Sequence, residues 1–264
     1  MRFCMWSVVL VCLLAAVASA GEREDEAYGR ALGAYEANKN IAPNTAFFAA
    51  TDELGGLTSD QRANVLERLA HHALKKEKDL YAAHLFAANA SLAMIYPVEL
   101  ARKKDPPRAK ELLRRRFKLA AWSIEMTFPW NRWANPMDYN ASQMAANQAH
   151  VLNLWLAKEK LALAGWRAHA SWMLGVAELV VDRPDRAVEA FASFARQVGD
   201  EPYATVAEGY LAFAMMLAGK PQGKERFARA IVKLESDPSE QAAKAGAELK
   251  RVKAYFDNKM KGND

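Results

Sequence analysis

The stretch Arg167 to Val198, RAHASWMLGVAELVVDRPDRAVEAFASFARQV, decides the fold. Its apolar residues return at intervals of three and four, the repeat of a helix with one buried stripe. Asp182-Arg183-Pro184 cuts the stretch into two helices of similar length, because proline is accepted in a first turn and not in an interior. Val180-Val181 is the one β-leaning pair, and it sits inside the helical pattern. No run elsewhere alternates β-branched and aromatic residues with polar ones between turn residues. The sequence therefore predicts an all-α protein.

Working outward, Tyr203–Ala218 and Lys224–Glu235 repeat the two-helix pattern, with breaks at Gly199-Asp200-Glu201-Pro202 and Gly219-Lys220-Pro221. Asp237-Pro238-Ser239 opens a last amphipathic helix to about Lys259, and Gly262-Asn263-Asp264 should fray. Upstream, residues 141–165 read as one long helix ending at Gly165. Asp105-Pro106-Pro107 starts a helix that runs to about Met126. Thr58 followed by Gln61 makes a capping box for a helix with Val65, Leu66, Leu69, Ala70, Ala73 and Leu74 on one stripe. Asp79 starts the next helix, which Pro97 closes or kinks. The first helix is expected from about Glu24 to Asn38, ended by the segment from Asn40 to Asn44 with its Pro43.

The amino-terminal residues carry an address. Arg2 precedes the apolar run from Met5 to Val17, and Ala18-Ser19-Ala20 stands before a charged stretch. That layout predicts a signal peptide over 1–20, cleaved after Ala20 in an exported, periplasmic or secreted protein. The apolar run is shorter than a spanning helix needs, which favours cleavage over an uncleaved membrane anchor. No second long apolar run follows, so no integral membrane span is expected after cleavage. Both cysteines, Cys4 and Cys12, leave with that segment, which removes disulfides and thiolate chemistry from the remainder. The chain carries 36 basic and 31 acidic residues, a net charge of +5 that becomes +4 once Arg2 is lost. So mild a bias is no nucleic-acid signature. Three regions are expected: 1–20 as signal, 21–140 as an amino-terminal helical part, and 141–264 as helical repeats with a terminal cap.

The two carboxyl-terminal hairpins share spacings. Ala187 follows Gly175 by 12 residues, Phe191 comes four later and Phe194 three after that. Gly209 lies 34 residues after Gly175, Phe227 lies 36 after Phe191, and Ala230 is three beyond Phe227. A small residue on the first helix lets the second approach, and Ala and Phe of the second fill the gap. This pattern, from about Ala168 to Glu235, resembles the tetratricopeptide repeat. Glu208 stands where the family has Leu, and Gly223 where it has Ala. The resemblance implies a stacked solenoid of antiparallel helical hairpins whose first helices line a concave groove. The groove positions it implies are His169, Trp172, Val176 and Leu179, then Tyr203, Val206, Tyr210 and Phe213. This aromatic set suits an extended or helical peptide. The alternative is that the long helix before Gly165 folds into the groove and turns these positions into core.

A second candidate surface is Phe128 to Tyr139, where Trp130, Arg132, Trp133 and Tyr139 share one irregular segment. Aromatic faces beside Asn and Asp suit sugars or peptides; the alternative is that the two tryptophans plug a seam between helices. Glu125 and Asp138 form a conceivable carboxylate pair, of a kind any helical protein offers. Among the five histidines, His71 and His72 are adjacent and point about 100° apart on a helix. No His-Glu-x-x-His, phosphate loop or nucleophile elbow occurs. No catalytic residue, cofactor or metal ligand is therefore predicted. The expected function is an exported scaffold or adaptor that binds a protein or peptide partner in the cell envelope. The alternatives are a helical hydrolase of envelope glycan, or an accessory component of a solute-uptake or secretion system. No nucleic-acid partner is expected, and the oligomeric state is not legible.

Overall fold

The computed structural model describes residues 3–128, 139–160, 164–199 and 202–261. They are helical, with no strand among the described residues. The chain divides into two compact units, 1–123 and 124–264.

The first unit holds α1 (Phe3–Asn38), α2 (Pro43–Asp52), α3 (Ser59–His72), α4 (Leu80–Ala93), α5 (Ile95–Lys104) and most of α6 (Pro106–Glu125). The segment expected to be a signal peptide lies on α1, and further along this helix Ala27, Ala31 and Tyr35 are buried in the core. Pro43 starts a helix instead of ending one. As the first residue of α2 it has no N–H to lose to the ladder, so its fixed φ favours initiation. The capping box forms as its residues predict: Thr58 accepts from the Gln61 amide while the Gln61 side chain accepts from Thr58. The predicted stripe of α3 is buried throughout. Asp79 caps α4 by accepting from the Ala82 amide. Between α3 and α4 the chain widens into a π-helical turn, Ala73–Glu77, ended by Lys78 at φ +54°. Pro97 falls in the first turn of α5, where it is tolerated. Tyr35, Phe47 and Phe86 make the aromatic centre of this unit, with ring centroids 5.3 to 5.8 Å apart around Phe86.

The second unit holds α7 (Tyr139–Lys158), α8 (Ala164–Val180), α9 (Pro184–Gln197), α10 (Tyr203–Leu217), α11 (Gly223–Ser236) and α12 (Glu240–Lys261). Each packs on the next, and α12 also packs back on α10. The long helix expected over 141–165 ends at Lys158, and Gly165 lies in the first turn of α8. The break is held by a contact invisible to helical periodicity. Arg167 on α8 donates to the carbonyls of Leu156 and Glu159 at the end of α7, the former also accepting from the Glu159 amide.

Three glycines set the helix spacing. A Cβ on Gly175 would lie 2.5 Å from Cε1 of Phe191, and one on Gly209 would lie 2.6 Å from Leu249 Cδ1 and 3.6 Å from Ala230 Cβ. A Cβ on Gly223 would lie 2.4 Å from the backbone nitrogen of Met216. The departure from Ala at position 223 thus has a physical reason, since α11 begins against the main chain of α10. Both hairpin turns close in the same way. Arg183 N–H donates to Glu178 O with Asp182 at φ +61°, and Lys220 N–H donates to Met215 O with Gly219 at φ +69°. Each is a left-handed cap that satisfies the last carbonyls of its helix.

Candidate functional site

A cavity of about 450 Å³ opens between α8, α10 and α12, floored by the end of α9. His169 and Trp172 reach it from α8, Tyr203, Val206 and Tyr210 from α10, and Ala245 and Glu248 from α12. The α8 and α10 contributions share a register, since His169 and Tyr203, and likewise Trp172 and Val206, are 34 residues apart.

The aromatic groups are tied together. Trp172 stands edge-on to Tyr210 at 6.0 Å and to Phe128 at 5.6 Å, and lies 5.6 Å from the His169 ring. Tyr210 stacks on Phe191 at 5.2 Å, the same ring that fills the notch at Gly175. Burial pushes the Tyr210 hydroxyl well above its usual value, only partly offset by its hydrogen bond with Trp172, so it remains a neutral phenol. His169 Nε2 lies 2.6 Å from Glu125 Oε1, which fixes its ring at the rim. Tyr203 is 52% exposed, a large apolar face at the mouth.

Sequence reasoning placed eight residues on this groove. The structure brings His169, Trp172, Tyr203, Val206 and Tyr210 to it. Val176, Leu179 and Phe213 are at most 2% exposed and belong to the core. For Phe213 the cause is α12, whose Phe256 lies 5.6 Å away, with Phe227 at the same distance. Ala245, Glu248, Phe194 and the Glu125 support were not foreseen, since they depend on α12 returning across α10 and on α9 closing the floor. Trp130, Arg132, Trp133 and Asp138 lie outside the described residues. Tyr139 is the first residue of α7, and its side chain is likewise outside them.

A larger cavity of about 580 Å³ lies between α7, α8 and α9. Leu154, Leu156 and Leu174 line it together with polar side chains, of which Ser171 donates to Asn153 and Gln197 donates to Ser171 and Ser193. Gln197 Oε1 and Glu178 Oε2 are buried without a hydrogen-bond partner among the described residues. The α8–α10–α12 groove is preferred as the candidate because it presents aromatic side chains in register from two helices, with Tyr203 exposed at its mouth.

No protein-family model matches the chain, and no curated protein or solved structure is similar to it.

Proposed function

We propose that this chain is an exported tetratricopeptide-like adaptor that binds an apolar or aromatic peptide segment of a partner protein in the cell envelope. The observation that carries the reading is the cavity of about 450 Å³ lined in register from α8 and α10. Gly175 admits Phe191 of α9 and Gly209 admits Leu249 of α12, close approaches that are compatible with the stacking the repeat resemblance implies. Its rings are held by one another and so lose little entropy on binding, which suits peptide recognition. Export rests on the amino-terminal pattern; cleavage after Ala20 would retain the buried Ala27, Ala31 and Tyr35 of α1. The reading needs no cofactor and no catalytic group.

Selection of a displayed peptide library on the purified chain tests the proposal. Enriched peptides should be rich in apolar and aromatic residues. They should lose about tenfold or more in affinity against Tyr203→Ser, a loss typical of an interface hot spot, with the helical signal unchanged. Binding indifferent to Tyr203→Ser and Trp172→Ala would remove the groove from the function. Release of glycan fragments from peptidoglycan by the purified chain would favour a hydrolase instead.

A further inference from the structure

The first unit contains a convergence unrelated to the groove. His72 at the end of α3, Glu77 at the end of the π-helical turn and Glu36 on α1 each offer a ligand atom, all within 4.8 Å of one another. His72 Nε2 lies 3.0 Å from Glu36 Oε1 and 3.9 Å from Glu77 Oε1. Ligands bound about 2.0–2.2 Å from a zinc-like ion sit roughly 3.0–3.5 Å from each other, so these separations need only small side-chain adjustments. The three side chains are between 21% and 35% exposed, so an ion can reach them and a fourth position stays open to water.

The backbone explains how the trio assembles. Residues five apart on an α-helix point about 140° away from each other, so His72 and Glu77 would not meet. The wider turn, with Lys78 N–H donating to Ala73 O, brings Glu77 round toward His72. Lys39 occupies the other side: its ammonium pairs with Oε2 of both Glu36 and Glu77, leaving the two Oε1 atoms facing the imidazole. Lys39 thus orients both carboxylates from behind, as supporting residues do at metal centres. With one ammonium against two carboxylates, the cluster keeps a residual negative charge.

We infer that Glu36, His72 and Glu77 form a binding site for one divalent transition-metal ion of the zinc type, held by one imidazole and two carboxylate oxygens. The donor set of nitrogen and oxygen suits such an ion better than magnesium or calcium, which take oxygen ligands.

Titration of the chelator-stripped full chain with zinc sulfate, followed by calorimetry and by competition with a chromophoric chelator, is the test. One equivalent should bind with micromolar affinity. His72→Ala and Glu77→Gln should each weaken it about tenfold or more, and His150→Ala should leave it unchanged. Should His72→Ala fail to fold, Glu36→Gln probes the same site through the zinc-induced rise in Tm, which it should abolish. Absence of binding at millimolar zinc overturns the inference, as does undiminished binding in His72→Ala or Glu36→Gln, or loss of binding in His150→Ala.

Discussion

Giving Gly175 a methyl group sets helix propensity against packing. Gly175 lies inside α8, where alanine is preferred over glycine by about 1 kcal/mol. The new Cβ would stand 2.5 Å from Phe191 Cε1 and 2.7 Å from Cδ1 and Cζ. Phe191 is fully buried and stacked on Tyr210, so its ring has no open direction of retreat. Overpacking of this kind costs about 1–3 kcal/mol. After the propensity gain, Gly175→Ala should destabilise by up to about 2 kcal/mol. Gly33→Ala on α1 is the internal control, because nothing lies within 4 Å of its Cβ position, and it should stabilise by about 1 kcal/mol. Urea unfolding followed by circular dichroism measures both, with the slope m expected to stay constant. A double-mutant cycle with Phe191→Leu should show the penalty shrinking as the ring is removed. If Gly175→Ala is instead stabilised by about 1 kcal/mol, as Gly33→Ala should be, α8 and α9 are not in the close contact that spaces the hairpin.

Gly223→Ala should cost more than Gly175→Ala, about 3 kcal/mol by the upper end of overpacking. Its Cβ meets the backbone of Met215 and Met216, which no rotamer change can move; the same urea titration checks it. Asp182→Gly should stabilise by about 0.5–1 kcal/mol, since Asp182 sits at φ +61° where glycine bears no Cβ penalty; Tm reads this out. His84 is fully buried, with Nδ1 2.9 Å from the Ser123 carbonyl and Nε2 without a hydrogen-bond partner among the described residues. Burial holds its imidazole below the usual 6.5, only partly offset by that backbone hydrogen bond. Above 6.5 both folded and unfolded chains keep this histidine neutral, so its contribution is complete. As pH falls below 6.5 the unfolded chain takes up a proton that the folded one refuses, and stability drops by at most about 1.4 kcal/mol per pH unit. His84→Asn should flatten this part of the pH–stability curve, and an unchanged slope would refute the assignment.

Local chemistry was legible and tertiary compensation was not. The capping pair Thr58 and Gln61, the Asp79 cap, and the boundaries of α9, α10 and α11 follow from interactions within a few residues of chain. Pro43 carries two meanings, helix end and first turn, and nothing local in the sequence separates them. The break after Lys158 depends on Arg167 capping from the following helix. The His72–Glu77 pairing requires a π turn, whereas neighbours on an ordinary α-helix are spaced by three and four. In the groove, the positions implied by the repeat resemblance include His169, Trp172, Tyr203, Val206 and Tyr210, which line the cavity. Whether a position is groove or core was decided by α12, which covers Phe213 and contributes Ala245 and Glu248.

That division also limits which side chains can report on binding. Tyr210 lines the cavity, yet it is 2% exposed and stacked on the ring that fills the Gly175 notch. Removing it leaves a void between α8, α9 and α10, and an aromatic truncation in a core costs about 3–5 kcal/mol. Loss of a ligand in Tyr210→Ala would therefore confuse unfolding with a lost contact. Trp172 is intermediate, since Phe128, His169 and Tyr210 all lean on it. Tyr203 begins α10 with half its surface in solvent. Its substitution by Ser removes apolar area from the mouth while leaving the packed interior intact. A binding defect in Tyr203→Ser at unchanged Tm can thus be assigned to the groove itself, and the other aromatic substitutions become interpretable only beside it.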